Sequence, residues 1–325
     1  MKKKIVIAGG TGFIGRELIS YFSAENKVIV LSRGKPNVKT NIYGPAVEEA
    51  YNTNVHYILW DAQSQGPWAK ELEGADILIN LCGKTVNCSY NKRNKQEILD
   101  SRIHPTAALG QAIAKSTSPP KLWINASSAT IYRHSTDKPM DEYTGEIEND
   151  FSVQVCKLWE QTFFAARTPC TRKIALRMAV TLGNNGVMVP YFNLLKFGLG
   201  GKQGSGNQMY SWVHVNDTCR IIDFIYEHKQ MEGVYNCCSP NPITNKGFMQ
   251  TLRSVTGTKF GLPALKWMLT IGAAIIGTET ELILKSRWVV PTKLSESGFI
   301  FRYYRIEDAF KDIVSRTQPK DYHLL

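Results

Sequence analysis

The chain opens on a short apolar run, Ile5 to Ala8, and similar runs return at Val28–Leu31, Val55–Trp60, Asp76–Leu81, Lys121–Ala126, Ile174–Thr181 and Gly233–Cys237. Runs this short, rich in Val, Ile and Leu and bounded by turn-forming residues, read as strands buried on both faces. Between them the apolar positions recur at helical spacing. A first helix is expected over Arg16–Ala24 and a short one near Trp68–Leu72. A long one covers Asn91–Lys115, with Ile98, Ile103, Ala107, Leu109, Ile113 and Ala114 as its stripe, and stops before Pro119-Pro120. Another spans Asp150–Ala166, with Phe151, Val155, Leu158, Trp159 and Phe163 available to pack. Regular strand–helix alternation predicts an α/β protein with a doubly wound parallel sheet.

Past Thr181 the alternation loosens. Leu182–Gly186 turns outward, Val187–Gly201 reads as a helix and a glycine-rich loop, and Tyr210–Val215 is strand-like. Asn216 or Asp217 is placed to cap a helix running to His228, and Thr244 or Asn245 to start one running through Val255. Lys266–Leu284 is strongly apolar, but Gly272, Gly277, Glu279 and Glu281 interrupt it before twenty apolar residues accumulate, so it predicts a buried or oligomer-facing helix, not a membrane span. Arg305–Val314 is amphipathic, and Gly34–Thr53 is a loop or insertion. The expected organisation is a sheet domain over residues 1–181, to which 209–237 returns, a smaller and mainly helical substrate lobe from 182–208 and 238–317, and a tail at 318–325.

The first strand runs straight into Gly9-Gly10-Thr11-Gly12-Phe13-Ile14-Gly15 and then a helix. A strand, a tight glycine turn and a helix start make the pyrophosphate cradle of a Rossmann-type dinucleotide site, because unpaired N–H groups at the helix start face the anion. Gly9 takes the turn, Gly12 lets the backbone approach the phosphates, and Gly15 lets the helix lie near the strand. After the second strand, where an acid would bind the adenine ribose of NAD, stand Ser32 and Arg33. A guanidinium there suits a 2′-phosphate, so NADP(H) is expected over NAD(H), which stays possible. Asp61 is placed either to accept from the adenine amino group or to cap a turn. Leu81, Cys82 and Gly83 pass beside the cofactor ribose.

The 325 residues are 43% apolar and 21% charged, which fits a globular core with an added lobe. The formal charge of +11 comes from scattered Lys and Arg without a nucleic-acid motif. It is assigned to solvation and to attraction of small, phosphate- or nucleotide-bearing molecules, not to nucleic acid. The seven cysteines are odd in number and lack metal spacing, so no metal is expected and a reducing, cytoplasmic setting is. An oligomer-facing helix leaves room for a homodimer.

These residues resemble an atypical extended short-chain dehydrogenase/reductase of the NAD-dependent epimerase/dehydratase family. More narrowly, the chain looks like the nucleoside-diphosphate-sugar epimerase homologues that carry their own carboxyl-terminal domain. The matching text is GGTGFIG at 9–15, SR at 32–33, DILINLCG at 76–83, SRI at 101–103, CKLWE at 156–160, GLGGKQGSGNQMYSWVHVND at 198–217, GVYNCCSPNPITN at 233–245 and VVPTKLSESGFIFRY at 289–303. The resemblance implies an oxidoreductase or epimerase acting by hydride transfer on a hydroxyl or keto group. Ser128 matches the family serine after the fifth strand, and Lys157 the lysine of Tyr-x-x-x-Lys, which would hold the nicotinamide ribose. The tyrosine position, four before it, is Val153, which cannot exchange a proton. Either the helix is scaffold and the protein binds cofactor without turnover, or another group donates the proton, with Tyr132, Tyr210 and His214 as candidates.

Overall fold

The computed structural model describes residues 2–34, 53–265, 267, 269, 279 and 281–323. The expected loop at 34–53 lies outside the described residues but for its two ends, and of the apolar helix expected over 266–284 only 267, 269, 279 and 281–284 are described, the last four as a helical turn.

Short Val/Ile/Leu-rich segments become parallel strands because both their faces can be covered. β1 (Lys4–Ala8), β2 (Lys27–Ser32), β3 (Val55–Leu59), β4 (Ile77–Asn80), β5 (Leu122–Ser128), β6 (Arg172–Met178) and β10 (Gly233–Cys237) form a seven-stranded sheet in the order β10-β6-β5-β4-β1-β2-β3. All of its neighbours pair in parallel. Alternate residues of one strand serve opposite layers. Ile5 and Ile7 pack under α1 (Phe13–Ser23) and α5 (Val215–Glu227), whereas Val6 and Ala8 pack with residues of α2 (Lys92–Lys115) and α3 (Phe151–Ala165). The order reverses between β4 and β1, which opens a crevice at the carboxyl ends of those strands.

The sixth expected strand is split. Its first part ends at Met178, and β7 (Val180–Leu182) instead pairs with β9 (Trp212–His214). Ala179 donates to the carbonyl of Cys237, the last ladder bond before the chain leaves the sheet. β8 (Met209–Tyr210) pairs with β11 (Ile243–Thr244), so residues 209–214 lie outside the large sheet while α5 and β10 belong to it. A separate core joins α4 (Met188–Lys196), Trp212, α6 (Asn245–Thr256) and the helix Ile306–Ser315. Tyr322 packs into it against Phe192, so the expected tail is docked as far as His323, which meets the Thr256 carbonyl at 2.8 Å.

Two stripe residues fall off their helices' buried faces. Ala114 is exposed because α2 is seated by Ile98, Pro105, Ala108, Leu109, Ala112 and Ile113. Leu158 is 40% exposed because Cys156, Trp159 and Phe163 turn the opposite face of α3 to the sheet. The cap of α5 is neither Asn216 nor Asp217 but His214, whose side chain accepts from the Asn216 amide. Asp217, 1% exposed, instead accepts from the amides of Arg302 and Tyr303 and from Arg220.

Candidate functional site

Gly9 has φ +76°, and a Cβ there would lie 2.9 Å from the Cys82 amide nitrogen, so β1 and β4 turn past one another at van der Waals contact. A Cβ on Gly15 would come 2.3 Å from the Gly10 carbonyl oxygen, which brings α1 down onto the turn. Gly12 is the N-cap of α1, has no side-chain cap, and would meet nothing within 4 Å. The first amides of α1 therefore face open space bounded by Thr11 and Gly12, both exposed. An anion bridging two nucleosides fits this cradle, since the site offers N–H donors and no side chain to block them. Phe13 pins it from outside: its ring lies where side chains on Gly183 and Gly186 would be. Ile14 packs inward against the sheet core.

At the end of β2 the buried Ser32 hydroxyl donates to the Gly34 carbonyl at 2.7 Å, and this turn holds Arg33 exposed. Arg33 lies close enough to act on the Cys82 thiol, which burial nevertheless pushes up to about 12. Cys82 is thus an inert wall. Asp61 follows β3 and accepts from the amides of Gln63 and Ser64 and from the Ser64 hydroxyl. Those bonds, the Ser64 hydroxyl first, hold its carboxyl down to about 2, so it closes a turn in this state. The Leu81 amide donates to Ala8 at 2.9 Å, continuing the β4–β1 ladder up to the crevice.

A buried amide relay that the sequence did not announce sets the floor. Asn80 donates to Asn125 (2.7 Å) and Thr106 (3.0 Å) and accepts from the Cys82 amide (3.1 Å), while Trp159 donates to Thr106 (3.0 Å). One chain of bonds therefore ties β4, β5, α2 and α3 together beneath Cys82-Gly83, and a fully paired network of this kind rigidifies its surroundings.

Ser128 ends β5, half-buried, with its Oγ accepting from the Thr130 amide at 3.2 Å; its own proton is left to donate. The other catalytic candidates stand in different surroundings. Lys157 is exposed and makes no hydrogen bond or ion pair among the described residues. Val153 is fully buried in an apolar cluster with Ala129, Tyr132, Met140 and Cys156. Tyr132, 1% exposed, donates to Asn236 (3.0 Å) and accepts from Arg177 (2.8 Å), and Arg177 is clamped by both oxygens of Glu160. Its phenol is pushed up by burial and held in a structural network. His214 is fully buried under Tyr303, 3.8 Å between centroids. Its Nδ1 caps α5, and its Nε2 lies 3.2 Å from Asp312 but off the line of a hydrogen bond. Tyr210 is buried in the lobe core, donating to Ile283 at 3.1 Å and accepting from Tyr191. Each of the three is held by packing and structural bonds.

Further polar side chains lie on α2, on α3 and in the loop before α2. Arg102, on α2, donates to the carbonyls of Ile98 (2.8 Å) and Lys84 (3.2 Å) and lies over Trp159, 5.2 Å from its ring centre. A Cβ on Gly83 would be 3.1 Å from its guanidinium carbon. Burial pulls its pKa down, and no carboxylate pairs with it among the described residues. Tyr90, in the loop between β4 and α2, sets its ring against Phe151 at 5.1 Å, and its backbone amide donates to Glu279 at 2.7 Å. Its phenol is pushed up by burial, which the Ser152 hydroxyl opposes. Cys156 is pushed up to about 12 by burial, with Arg102 and Arg287 acting against it.

Comparison with known proteins places this geometry. The NAD dependent epimerase/dehydratase family profile matches residues 5–159, and a domain of unknown function, DUF1731, matches 266–313. Epimerase family protein YfhF of Bacillus subtilis is 30% identical over 312 residues, covering 96% of this chain and 98% of that one. The crystal structure of human epimerase family protein SDR39U1 with NADPH is 28% identical, with a TM-score of 0.80 over 96% of this chain and 99% of that one. A nucleoside-diphosphate sugar epimerase from Corynebacterium glutamicum is 26% identical, with a TM-score of 0.72 over 99% of this chain but 60% of that one. With the glycine cradle, the parallel sheet and matches running end to end, the chain belongs to the NAD-dependent epimerase/dehydratase family and carries a carboxyl-terminal DUF1731 domain.

Proposed function

We propose that this protein is an NADP(H)-dependent oxidoreductase or epimerase, of the nucleoside-diphosphate-sugar epimerase homologue subfamily, acting on a hydroxyl or keto group of a small molecule. The observation that carries the reading is the line of groups along the crevice. Arg33 stands after β2, the open glycine cradle after β1, Gly83 after β4 and Ser128 after β5. That order matches adenosine phosphate, pyrophosphate, nicotinamide ribose and reacting carbon in sequence. The human relative solved with NADPH supports the cofactor.

When bound, the dinucleotide supplies or accepts the hydride. The chain's part is to hold and orient. Amides at the start of α1 hold the pyrophosphate, Arg33 the 2′-phosphate, and the Ser128 hydroxyl the substrate oxygen, where charge grows during the reaction. The Asn80 relay keeps Gly83 and Ser128 in fixed register. A second reading, binding without turnover, rests on one observation: the buried, apolar Val153 leaves α3 without its expected proton donor.

Calorimetric titration tests the cofactor. NADPH should bind at least tenfold more tightly than NADH, and Arg33→Ala should erase that preference while leaving NADH affinity nearly unchanged, because only a phosphate–guanidinium pair is lost. Equal affinity for both cofactors would defeat the Arg33 argument. Oxidation of NADPH by a panel of carbonyl compounds and sugar nucleotides, depressed by Ser128→Ala without loss of NADPH affinity, separates the enzyme from the binding protein.

A further inference from the structure

The smaller lobe is one-sided in charge over two long stretches of chain. Between Glu160 and Asp217, and again between Glu232 and Glu279, the sequence carries no Asp or Glu. Within those stretches the lobe holds Lys196, Lys202, Lys246, Arg253, Lys259 and Lys266. Three of the lysines stand directly before an aromatic residue: Lys196 before Phe197, Lys259 before Phe260 and Lys266 before Trp267. The fold lays the two stretches side by side. Residues 198–204 run along 262–264 as a ribbon, in which the Leu262 amide donates to Gly198 (2.8 Å), the Gly201 amide to Leu262 (3.1 Å), the Ala264 amide to Lys202 (3.0 Å) and the Gly204 amide to Ala264 (2.8 Å). Arg253 of α6 ties into it by donating to the Gly200 carbonyl at 2.7 Å, and Lys202 and Lys246 flank Gly206. Along this ribbon and at its ends, Phe197, Phe260, Leu262, Leu265 and Trp267 are between 49% and 79% exposed.

We propose that this ribbon is a docking face for an anionic lipid surface, with the exposed rings and leucines at the acyl boundary and the lysines on the lipid phosphates. Single apolar side chains scattered over a protein need no explanation, whereas five on one ribbon mark a contact surface. Charge selects the occupant. Lys196, Lys202, Lys246, Arg253 and Lys259 make no ion pair among the described residues. Lys196 rests its ammonium on the Lys320 carbonyl at 3.0 Å, and the docked tail there adds one charge of each sign, Lys320 and Asp321. A second copy set face to face on the ribbon would bring cations against cations, which opposes self-association through it. A nucleic acid suits the lysines, but Leu262 and Leu265 have no ring on which a base could stack. A lipid surface takes both kinds of group, because aliphatic and aromatic side chains enter the acyl boundary while lysine stems reach past them to the headgroups. The protein would lie on the membrane and not cross it: among the described residues no helix is long and apolar enough to span. The inference stands apart from the cofactor reading.

Attraction and insertion would act together. Each lysine brought to an anionic leaflet is worth roughly fivefold in affinity, an effect that salt screens, and burial of the apolar side chains adds a part that salt does not remove. The chain also carries its own reporter. Of its seven tryptophans, Trp60, Trp68, Trp123, Trp159 and Trp212 are buried and Trp288 is half-buried, which leaves Trp267 as the exposed one.

The test is sedimentation of the whole protein with vesicles of phosphatidylcholine, alone or with about one-third phosphatidylglycerol. Binding should be at least about tenfold tighter to the anionic vesicles and should weaken steeply as salt is raised toward about 1 M. Tryptophan emission should move to shorter wavelength on binding, and Trp267→Phe should remove that shift. Phe260→Asp with Leu262→Asp should weaken binding by at least about tenfold, and so should Lys196→Glu with Lys259→Glu, which alters charge alone. Lys92→Glu with Lys115→Glu, the same charge change made on α2, should alter it by less than about threefold. Equal affinity for both vesicles, no binding to either at low salt, an unshifted emission, or an equal loss in the α2 pair would overturn the inference. Binding of poly(U) without binding of anionic vesicles would give the face to nucleic acid. A dimer in analytical ultracentrifugation that Phe260→Asp with Leu262→Asp dissociates would give it to a second copy, and either result overturns the lipid surface.

Discussion

Tyr132 shows how a single side chain changes meaning between one dimension and three. Four residues past Ser128, it stands where a reactive phenol is plausible. In the fold it is the hinge pin of a buried network: Ser127 and Arg177 meet Glu160, Arg177 meets Tyr132, and Tyr132 meets Asn236. Removing only its oxygen by Tyr132→Phe leaves Asn236 and Arg177 each short of a partner in the core. The cost should be about 1–3 kcal/mol, read as a lower urea midpoint with an unchanged slope. Cofactor affinity should not move, whereas a phenol in the active site would alter turnover far more than stability.

Among the elements, α1 and its turn are the most constrained. The first strand, the turn and the helix are a single device, since the helix can reach the phosphates only if it lies close to the turn. Gly15 sets that closeness. A methyl group at this position would press into backbone, not into a side chain that can swing aside, with the Gly10 carbonyl oxygen 2.3 Å away. Gly15→Ala should therefore displace α1, cost about 1–3 kcal/mol of stability as overpacking does, and weaken NADPH binding by at least about tenfold. Differential scanning calorimetry with and without NADPH separates the two effects: the cofactor-dependent rise in Tm should shrink as well as the starting Tm.

Across the whole molecule, the sheet and the lobe are joined at β9 and α5, and His214 sits at that joint. It is fully buried, caps α5 through Nδ1, and faces Asp312 of the last long helix. Burial lowers its pKa from 6.5 to about 4, with the Asp312 charge pulling the other way. The folded protein thus keeps the ring neutral where the unfolded chain would already protonate it. The stabilisation is complete above pH 6.5 and is lost as pH falls from there toward about 4, at most about 3 kcal/mol. His214→Asn keeps a capping acceptor and removes the titration. Urea denaturation at a series of pH values should then show a shallower loss of stability across that window than in the native chain. An unchanged pH profile would mean the acid sensitivity lies elsewhere.

The sequence by itself determined the class of the fold and the glycine turn that closes its first strand. Both are local matters. An apolar run followed by Gly9, Gly12 and Gly15 carries its own geometry, and Arg33 stands a fixed distance beyond it along the next strand. The surroundings of the side chains on α3 and in the lobe were not legible in the same way. Val153 stands at the spacing of a proton donor, and the phase of α3, set by Cys156, Trp159 and Phe163 against the sheet, buries it, while Lys157 on the same helix is exposed. His214 and Tyr210 lay in a stretch dense with polar residues, yet the second core buries both, because β8 and β9 leave the large sheet. Conversely, Asn80, Thr106, Asn125 and Trp159 come from two strands and two helices and share no pattern along the chain. They meet only because β4 and β5 are neighbours and the helices that follow them pack on the same face of the sheet. A turn's chemistry is written in adjacent residues, whereas a site assembled from several elements depends on which faces those elements bury, and that was decided by packing.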